Sequence, residues 1–143
     1  MRIEVLNGVN LDLLGRRDVE TYGAGTLQDL ETRIYEWARQ LEVQVRCRQT
    51  NNEGDYVGFC HQALDDADGI VVNPGAWTHY AWSIRDALEP FAGPLVEVHL
   101  SDVEQREAWR RHSVLEDLRT ARIVGKGIDG YREALALLAE TGR

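Results

Sequence analysis

The sequence is poor in the residues that form a disulfide framework, a metal site or a membrane span. It has two cysteines, Cys47 and Cys60, with no CxxC pair and no closely spaced histidines. Neither a disulfide scaffold nor a zinc site is therefore predicted. No apolar run approaches the roughly 20 residues that cross a bilayer, and the N-terminus lacks the apolar segment of a secretory signal. We expect a cytoplasmic protein with two reduced thiols in its core.

Positive charge is also scarce. Sixteen basic residues stand against twenty-four acidic ones, for a net charge of -8. This balance argues against diffuse attraction to nucleic acid or to an anionic membrane. An anionic ligand would need a local cationic site instead. The candidate cations are Arg16, Arg17, Arg106, Arg110 and Arg111.

The overall composition is that of an ordinary folded domain. Hydrophobic residues make up 43% of the chain and charged residues 28%, close to the average for globular proteins. A chain of about 150 residues buries roughly two thirds of its unfolded surface around one core. No repeat, low-complexity tract or linker divides the sequence, so residues 1–143 are predicted to form a single domain.

Short β-prone runs alternate along the chain with segments of helical spacing. The clearest helix follows a capping-box pattern at Thr26 and Asp29. The predicted strands are residues 2–6, 43–49, 69–72, 95–100 and 122–124. The predicted helices are residues 27–41, 54–67, 79–88, 103–109 and 129–141. Such alternation implies parallel strands with right-handed crossovers and helices on both faces.

This pattern predicts an α/β fold, a flavodoxin-like three-layer sandwich whose five-stranded parallel sheet has the order 2-1-3-4-5. Ligands bind such sheets at the switch point between the first and third strands, beside the carboxyl ends. The loops at residues 7–25, 73–79 and 99–103 should converge there. Flavin binding is a rival reading of the same fold, but arginines and a tyrosine follow strand one instead of a run of Ser, Thr and Gly that could hold a phosphate.

The first of these loops, NGVNLDLLGRRDVETYGAG, is far longer than the usual βα connection of about 2 to 6 residues. Its two arginines, Tyr22 and glycines would suit a lid over an anion, covering residues 16–25. A mobile surface loop is the alternative, and composition favours neither reading.

The other two loops carry amide, imidazole and carboxylate groups. Asn73 and His79 in NPGAWTH can hydrogen-bond hydroxyls or carboxylates, although the segment could also be a turn with Thr78 as a helix cap. Glu97 and His99 point to one face by strand alternation, so the carboxylate could orient the imidazole and raise its basicity. The alternative is an incidental neighbour.

Taken together, these motifs resemble those of the type II 3-dehydroquinate dehydratases across nearly the whole chain. The matching segments are NGVNLDLLGRR, Tyr22-Gly23, TNNEG, NPGAWTH, Arg85-Asp86, EVHLS and REAWRRHS. The resemblance implies a hydro-lyase without a cofactor or metal that converts 3-dehydroquinate to 3-dehydroshikimate. That reaction serves the shikimate pathway of aromatic amino acid biosynthesis, and also quinate catabolism.

The resemblance also implies the catalytic roles. Tyr22 matches the family's base, and Arg17 matches the arginine that lowers its pKa. Moving a phenol pKa from about 10 to about 7 takes roughly 4 kcal/mol, which one cation at about 4 Å can supply at an effective dielectric of about 20. Asn10 would hold a water at the enolate oxygen. His99, oriented by Glu97, would be the general acid.

Further residues match the family's substrate contacts. Arg106 matches an arginine near the lid, and Asp86 matches a residue that reaches into the neighbouring subunit's site. The family forms trimers joined into a dodecamer, which we expect here as well. The residues expected to hold the substrate carboxylate and hydroxyls are Asn73, His79, Leu100, Ser101 and Arg110.

Several positions depart from the family pattern. Val9 and Val19 replace prolines in the first loop, which would make the lid more mobile, and Tyr80-Ala81 replaces a Thr-Ser pair. Asp102 and Glu104 add two negative charges beside a site for a carboxylate, unless their side chains point away. Two alternatives therefore stay open: action on a related cyclic hydroxy acid, and a non-catalytic oligomeric binding protein.

Overall fold

The computed structural model confirms the predicted sheet. It describes residues 1–17, 19–22 and 25–142, and only the backbone of residue 22. Five parallel strands lie in the order β2-β1-β3-β4-β5. They are β1 (Arg2–Asn7), β2 (Gln44–Gln49), β3 (Gly69–Asn73), β4 (Leu95–His99) and β5 (Ala121–Val124).

Helices cover both faces of this sheet. The covering helices are α2 (Leu27–Leu41), α3 (Glu53–Asp66), α4 (Trp82–Leu88) and α5 (Asp129–Thr141), and the one-turn α1 (Val19–Tyr22) lies in the first loop. The predicted capping box opens α2: the Thr26 hydroxyl accepts from the Asp29 amide at 3.2 Å, and the Asp29 carboxylate accepts from the Thr26 amide at 3.0 Å. These bonds satisfy amides that a helix start otherwise leaves unpaired.

The alternation of β1 divides the interior into two apolar layers. Ile3 and Val5 pack with α2 and α5 on one face, whereas Leu6 packs with α3 and α4 on the other. Consecutive strand residues point to opposite faces, so each buried strand contributes to both layers. The predicted three-layer sandwich is confirmed.

Two predicted helices were wrong in extent. The segment predicted as a helix over residues 79–88 is helical only from Trp82, and a 3₁₀ turn, Gly75–His79, precedes it. Residues 103–109 form no α-helix but parts of two 3₁₀ turns, Val103–Gln105 and Ala108–Arg111. The extended backbone of Arg106, at φ -106° and ψ -164°, separates these turns. Segments this short gain too few hydrogen bonds to continue as α-helix.

Both cysteines are free thiols; Cys60 lies in the core, as predicted, whereas Cys47 is only half-buried, so its predicted core position is wrong. Burial raises the pKa of each thiol to about 12, so neither is a reactive thiolate at neutral pH. Within the described ranges, no helix has the length and apolar character to cross a membrane.

The loops after β1 and β3 touch backbone to backbone. Gly8 donates its amide to the Asn73 carbonyl at 2.8 Å, and a Cβ at Gly8 would lie 2.3 Å from the carbonyl oxygen of Pro74. Gly75 has φ +68°, and a Cβ there would lie 2.5 Å from the Val9 carbonyl oxygen. Only glycine permits this approach without strain.

Replacing Gly75 by alanine should lower the free energy of unfolding by more than about 2 kcal/mol, because it adds both positive-φ strain and a backbone clash. Urea unfolding measures the loss. Gly58→Ala is the control, since a Cβ at this α3 position meets nothing within 4 Å and alanine is the better helix former by about 0.5 to 1 kcal/mol. Equal stability of Gly75→Ala and wild type would contradict the close-approach argument.

Candidate active site

A cleft opens at the carboxyl ends of β1, β3 and β4, at the switch point of the sheet. The three loops predicted to converge all contribute to it. Its lining residues are Val9, Asn10, Leu11, Leu14, Arg17, Asn73, Gly75, Ala76, His79, His99, Leu100, Ser101, Arg106 and Arg110. The cleft therefore contains most of the site residues expected from the sequence.

Three of the five candidate arginines line this cleft: Arg17, Arg106 and Arg110. Arg16 and Arg111 are exposed and lie outside it. Arg106 Nη1 donates to the Ser101 hydroxyl at 3.3 Å. The cleft is thus a local cationic site in an acidic chain, which suits a small anion.

Arg110 is held in place by its neighbours. Its guanidinium lies 4.2 Å from the centre of the Trp109 ring, and its Nε pairs with the Glu107 carboxylate. Cation–π and ion-pair contacts limit the conformations of a long side chain. Arg110 therefore faces the cleft with part of its motion already restricted.

Asn10 is fixed by the segment TNNEG, to which the sequence assigned no role. The backbone of Asn10 is left-handed, at φ 69°, and its backbone N–H donates to the Asn51 Oδ1 at 2.8 Å. Asn51 also donates its Nδ2 to the Asp12 carboxylate at 3.0 Å. Asparagine tolerates this backbone conformation. Asn51, which follows β2, thus connects its own loop to the first loop by hydrogen bonds.

Asn73 is anchored by a buried hydrogen-bond chain beneath the cleft. Asn73 Nδ2 donates to the Tyr131 hydroxyl at 2.9 Å, and that hydroxyl donates to Asn7 Oδ1 at 2.6 Å. Asn73 Oδ1 accepts from the Gly75 amide at 3.2 Å. Burial raises the pKa of Tyr131 well above its usual range, so the phenol keeps the proton that this chain requires. Tyr131 carried no sequence signal beyond its helical spacing.

Glu97 and His99 form the pair predicted from strand alternation. His99 Nε2 donates to Glu97 Oε2 at 2.6 Å, and the Glu97 side chain is fully buried. Burial opposes ionisation, but hydrogen bonds from His99, Thr78 and Ser113 outweigh it and hold the pKa of Glu97 at about 2. The carboxylate is therefore charged at neutral pH and orients the imidazole.

Three further donors hold this carboxylate, and sequence reasoning missed all of them. Thr78, interpreted as a possible helix cap, instead donates its hydroxyl to Glu97 Oε2 at 2.7 Å. Ser113 donates to Oε1 at 2.8 Å, and Arg119 Nη1 donates to the same oxygen at 2.9 Å. These residues lie 16 to 22 positions from Glu97 in the sequence, so spacing does not indicate that they contact it. Thr78 and Ser113 lie in matched motifs, but Arg119 lies in none.

His79 stands opposite this pair as a neutral hydrogen-bonding group. Its Nδ1 donates to the His112 carbonyl at 2.7 Å, and its ring lies 6.1 Å from the His99 ring. Burial, together with the nearby His99 and Arg110, lowers the pKa of His79. The remaining histidines, His61 and His112, have exposed side chains outside the cleft.

The two acidic departures point away from the cleft. Glu104 accepts from Arg122 Nη2 at 2.6 Å, and Asp102 Oδ1 accepts from the Glu104 amide at 3.1 Å. Neither lines the cleft. Val19 and Tyr80 are exposed and lie outside it, whereas Val9 lines it. The two negative charges that were expected beside the substrate site therefore contact groups outside the cleft.

Among the expected site residues whose side chains the structure describes, Asp86 is not brought into the cleft of its own chain, and Glu97 is buried behind His99 instead of lining the cleft. Asp86 is exposed on α4, beside His61 and Ser83. The side chain of Tyr22 lies outside the described part of the chain, as do Asp18, Gly23 and Ala24 within the predicted lid at residues 16–25. Among the described residues no group of three or more His, Cys, Asp or Glu is placed to hold a metal ion.

Comparison with known proteins identifies the family. The chain matches the family "Dehydroquinase class II" over residues 1–139. It is 46% identical over 143 residues to the 3-dehydroquinate dehydratase of Salinispora tropica, covering 100% of both chains. It is 43% identical over 139 residues to that of Pelotomaculum thermopropionicum, covering 97% of this chain and 96% of the relative.

A solved structure agrees in both fold and length. The crystal structure of type II dehydroquinase from Propionibacterium acnes superposes with a TM-score of 0.94 at 45% identity, covering 97% of this chain and 96% of that one. Sequence and architecture therefore match over essentially the full length of these relatives. The chain belongs to the class II dehydroquinases.

Proposed function

We propose that the protein dehydrates 3-dehydroquinate to 3-dehydroshikimate with its own side chains, without a cofactor. The observation that carries the proposal is the Glu97–His99 pair of a class II dehydroquinase, whose imidazole lines the cleft together with three arginines. The cations suit a substrate carboxylate, and the oriented imidazole suits proton transfer to a leaving hydroxyl. The relatives bear the name of this activity.

The first step is removal of a proton from the carbon beside the ketone. Tyr22, as a phenolate, takes this proton, and the C–H electron pair moves towards the ketone to form an enolate. Arg17, which lines the cleft, favours the phenolate by charge attraction. Asn10 holds a water that donates a hydrogen bond to the enolate oxygen, where negative charge develops.

The second step expels the hydroxyl group. The enolate collapses back to the ketone, a carbon–carbon double bond forms, and the carbon–oxygen bond breaks. His99 gives its proton to the departing oxygen, so water leaves. Nε2 of His99 is held by Glu97, which leaves Nδ1 for this transfer. The anionic Glu97 stabilises the imidazolium that exists before transfer.

The remaining lining residues hold the substrate. Arg110 and the backbone of Leu100 and Ser101 bind the carboxylate and neighbouring hydroxyl groups, with Arg106 closing over them from the lid side. Neutral His79 offers Nε2, because its Nδ1 is occupied by the His112 carbonyl. Asn73 is the further polar contact, anchored from below by Tyr131.

The alternatives left open by the sequence lose their main support. They rested in part on Val9, which lines the cleft, and mainly on the side chains of Asp102 and Glu104, whose charges would repel a substrate carboxylate. These side chains contact a backbone amide and Arg122 instead, outside the cleft. Action in the shikimate pathway or in quinate breakdown is compatible with the same site, as is a cytoplasmic location.

We also propose that the protein works as trimers assembled into a dodecamer. Asp86 lies outside its own chain's cleft, so it would serve the site of a neighbouring subunit. Tyr80 and Trp82 are 58% and 59% exposed. Large exposed aromatic side chains at and just before the start of α4, the helix that carries Asp86, suit a subunit contact.

Tyr22→Phe should reduce turnover of 3-dehydroquinate by at least about a thousandfold, since it removes the base but little volume. The appearance of the enone product is followed by ultraviolet absorbance, and substrate binding by calorimetry. Tyr35→Phe, an exposed position on α2, is the matched control and should turn over normally. Wild-type turnover by Tyr22→Phe would reject the assigned base.

Glu97→Gln should lower kcat by about a hundredfold with little change in KM, because the amide cannot stabilise the imidazolium of the acid. Glu116→Gln removes an exposed glutamate and should leave kcat unchanged. Circular dichroism verifies that both variants fold. An undiminished kcat in folded Glu97→Gln would remove the Glu97 carboxylate from the mechanism.

Light scattering should give a particle of twelve times the 16.2 kDa chain mass. Asp86→Ala should lower activity, and refolding it together with Tyr22→Phe should restore activity above either parent, because each defect lies in a different subunit of a shared site. Failure of the mixture to exceed both parents would place Asp86 outside the neighbouring site.

A further inference from the structure

The buried Glu97 carboxylate contacts a cation, Arg119, in addition to the His99 imidazole. Arg119 lies in the connection that leads to β5, and its Nη1 donates to Glu97 Oε1 at 2.9 Å. The side chain of Arg119 is only 16% exposed, and its backbone amide donates to the Leu115 carbonyl at 3.0 Å. The arginine is therefore fixed at both ends.

The Arg119 guanidinium and the His99 imidazole approach opposite oxygens of one carboxylate. Arg119 contacts Oε1, and His99 contacts Oε2 at 2.6 Å. A guanidinium stays protonated at any physiological pH. The negative charge of Glu97 is thus already balanced by Arg119 before His99 gains a proton.

The charge balance at Glu97 affects His99, because a general acid must release its proton. A lone buried carboxylate would hold an imidazolium strongly, making it a poor acid. A carboxylate shared with an arginine still orients the ring, but attracts the proton less. Thr78 and Ser113, the other donors to Glu97, are neutral hydroxyls and cannot supply this counter-charge.

We propose that Arg119 is a positioning residue of the dehydration site, which holds the Glu97 carboxylate and limits how strongly that carboxylate retains the proton of His99. The proposal rests on the proposed role of His99 as the general acid. Arg119 does not line the cleft. It acts through Glu97.

Other charged groups face His99 from the cleft side. They are Arg17 from the first loop, His79 from the turn after β3, and Arg106 and Arg110 from the segment after β4. These groups lie on the open side of the ring, whereas Arg119 approaches from the buried side through the carboxylate. Removing Arg119 therefore changes the balance at Glu97 without altering a cleft contact.

Three substitutions separate charge from contact. Arg119→Met removes the charge and keeps the length, Arg119→Gln keeps a hydrogen-bond donor without charge, and Arg119→Lys keeps the charge. The control is Arg122→Met on β5. Arg122 has a similar exposed fraction, 20%, but pairs with exposed Glu104 and not with Glu97.

Steady-state kinetics across pH should distinguish these variants. Arg119→Met and Arg119→Gln should lower kcat about tenfold with KM within about twofold, and the alkaline limb of the kcat profile should move up by about one pH unit. Arg119→Lys should return the limb to its wild-type position. Arg122→Met should match wild type in kcat and in pH profile.

A second readout does not depend on turnover. Exchange of the histidine C2 proton, followed by mass spectrometry of the His99 peptide, reports the pH at which that ring loses its proton. The midpoint should rise by about one unit in Arg119→Met and Arg119→Gln and return in Arg119→Lys. Arg119→Gln retains a donor to Glu97, so the test survives if Arg119→Met does not fold.

The two readouts separate failure of this inference from failure of the proposed function. A wild-type protein that does not dehydrate 3-dehydroquinate defeats the proposed function, while the exchange midpoints still test Arg119. Unchanged midpoints in folded Arg119→Gln overturn the inference, even if the enzyme is active. Equal losses of kcat in Arg119→Met and Arg122→Met, without a shift of the limb, overturn it as well.

Discussion

The site depends on one buried negative charge. Glu97 has no exposed side-chain area, yet four donors from three separate segments satisfy both its oxygens. Leaving a buried carboxylate with a partner missing costs roughly 3 to 5 kcal/mol. The turn after β3, the end of β4 and the connection to β5 are therefore all held at one point, and His99 takes its orientation from that point.

The second constraint is the close contact of the loops after β1 and β3. Gly8 and Gly75 let the two backbones approach where any side chain would collide. The bond from the Gly8 amide to the Asn73 carbonyl links the loop ends directly. Asn10 and Asn73, which lie next to this contact in the sequence, both line the cleft. The ends of β3 and β4 carry Asn73 and His99, so these two polar groups are positioned by the sheet itself.

Charge is distributed to suit an anionic substrate. The chain is acidic overall, but three arginines line the cleft, and the two acidic side chains next in sequence to Ser101 are engaged away from it. Glu97 is the acid nearest the imidazole, and its charge is shared with Arg119. The cleft thus keeps a net attraction for a carboxylate.

The sequence by itself determined the strand order, the loops that meet at the cleft and the Glu97–His99 pair, because periodicity and strand alternation are local properties. The boundaries predicted for the helices after β3 and β4 were wrong, because short 3₁₀ turns form in these segments. Only the tertiary structure decided the direction of Asp102 and Glu104 and the gathering of Thr78, Ser113 and Arg119 around Glu97. Those contacts join residues 16 to 22 positions from Glu97, a separation at which spacing carries no information about which side chains meet.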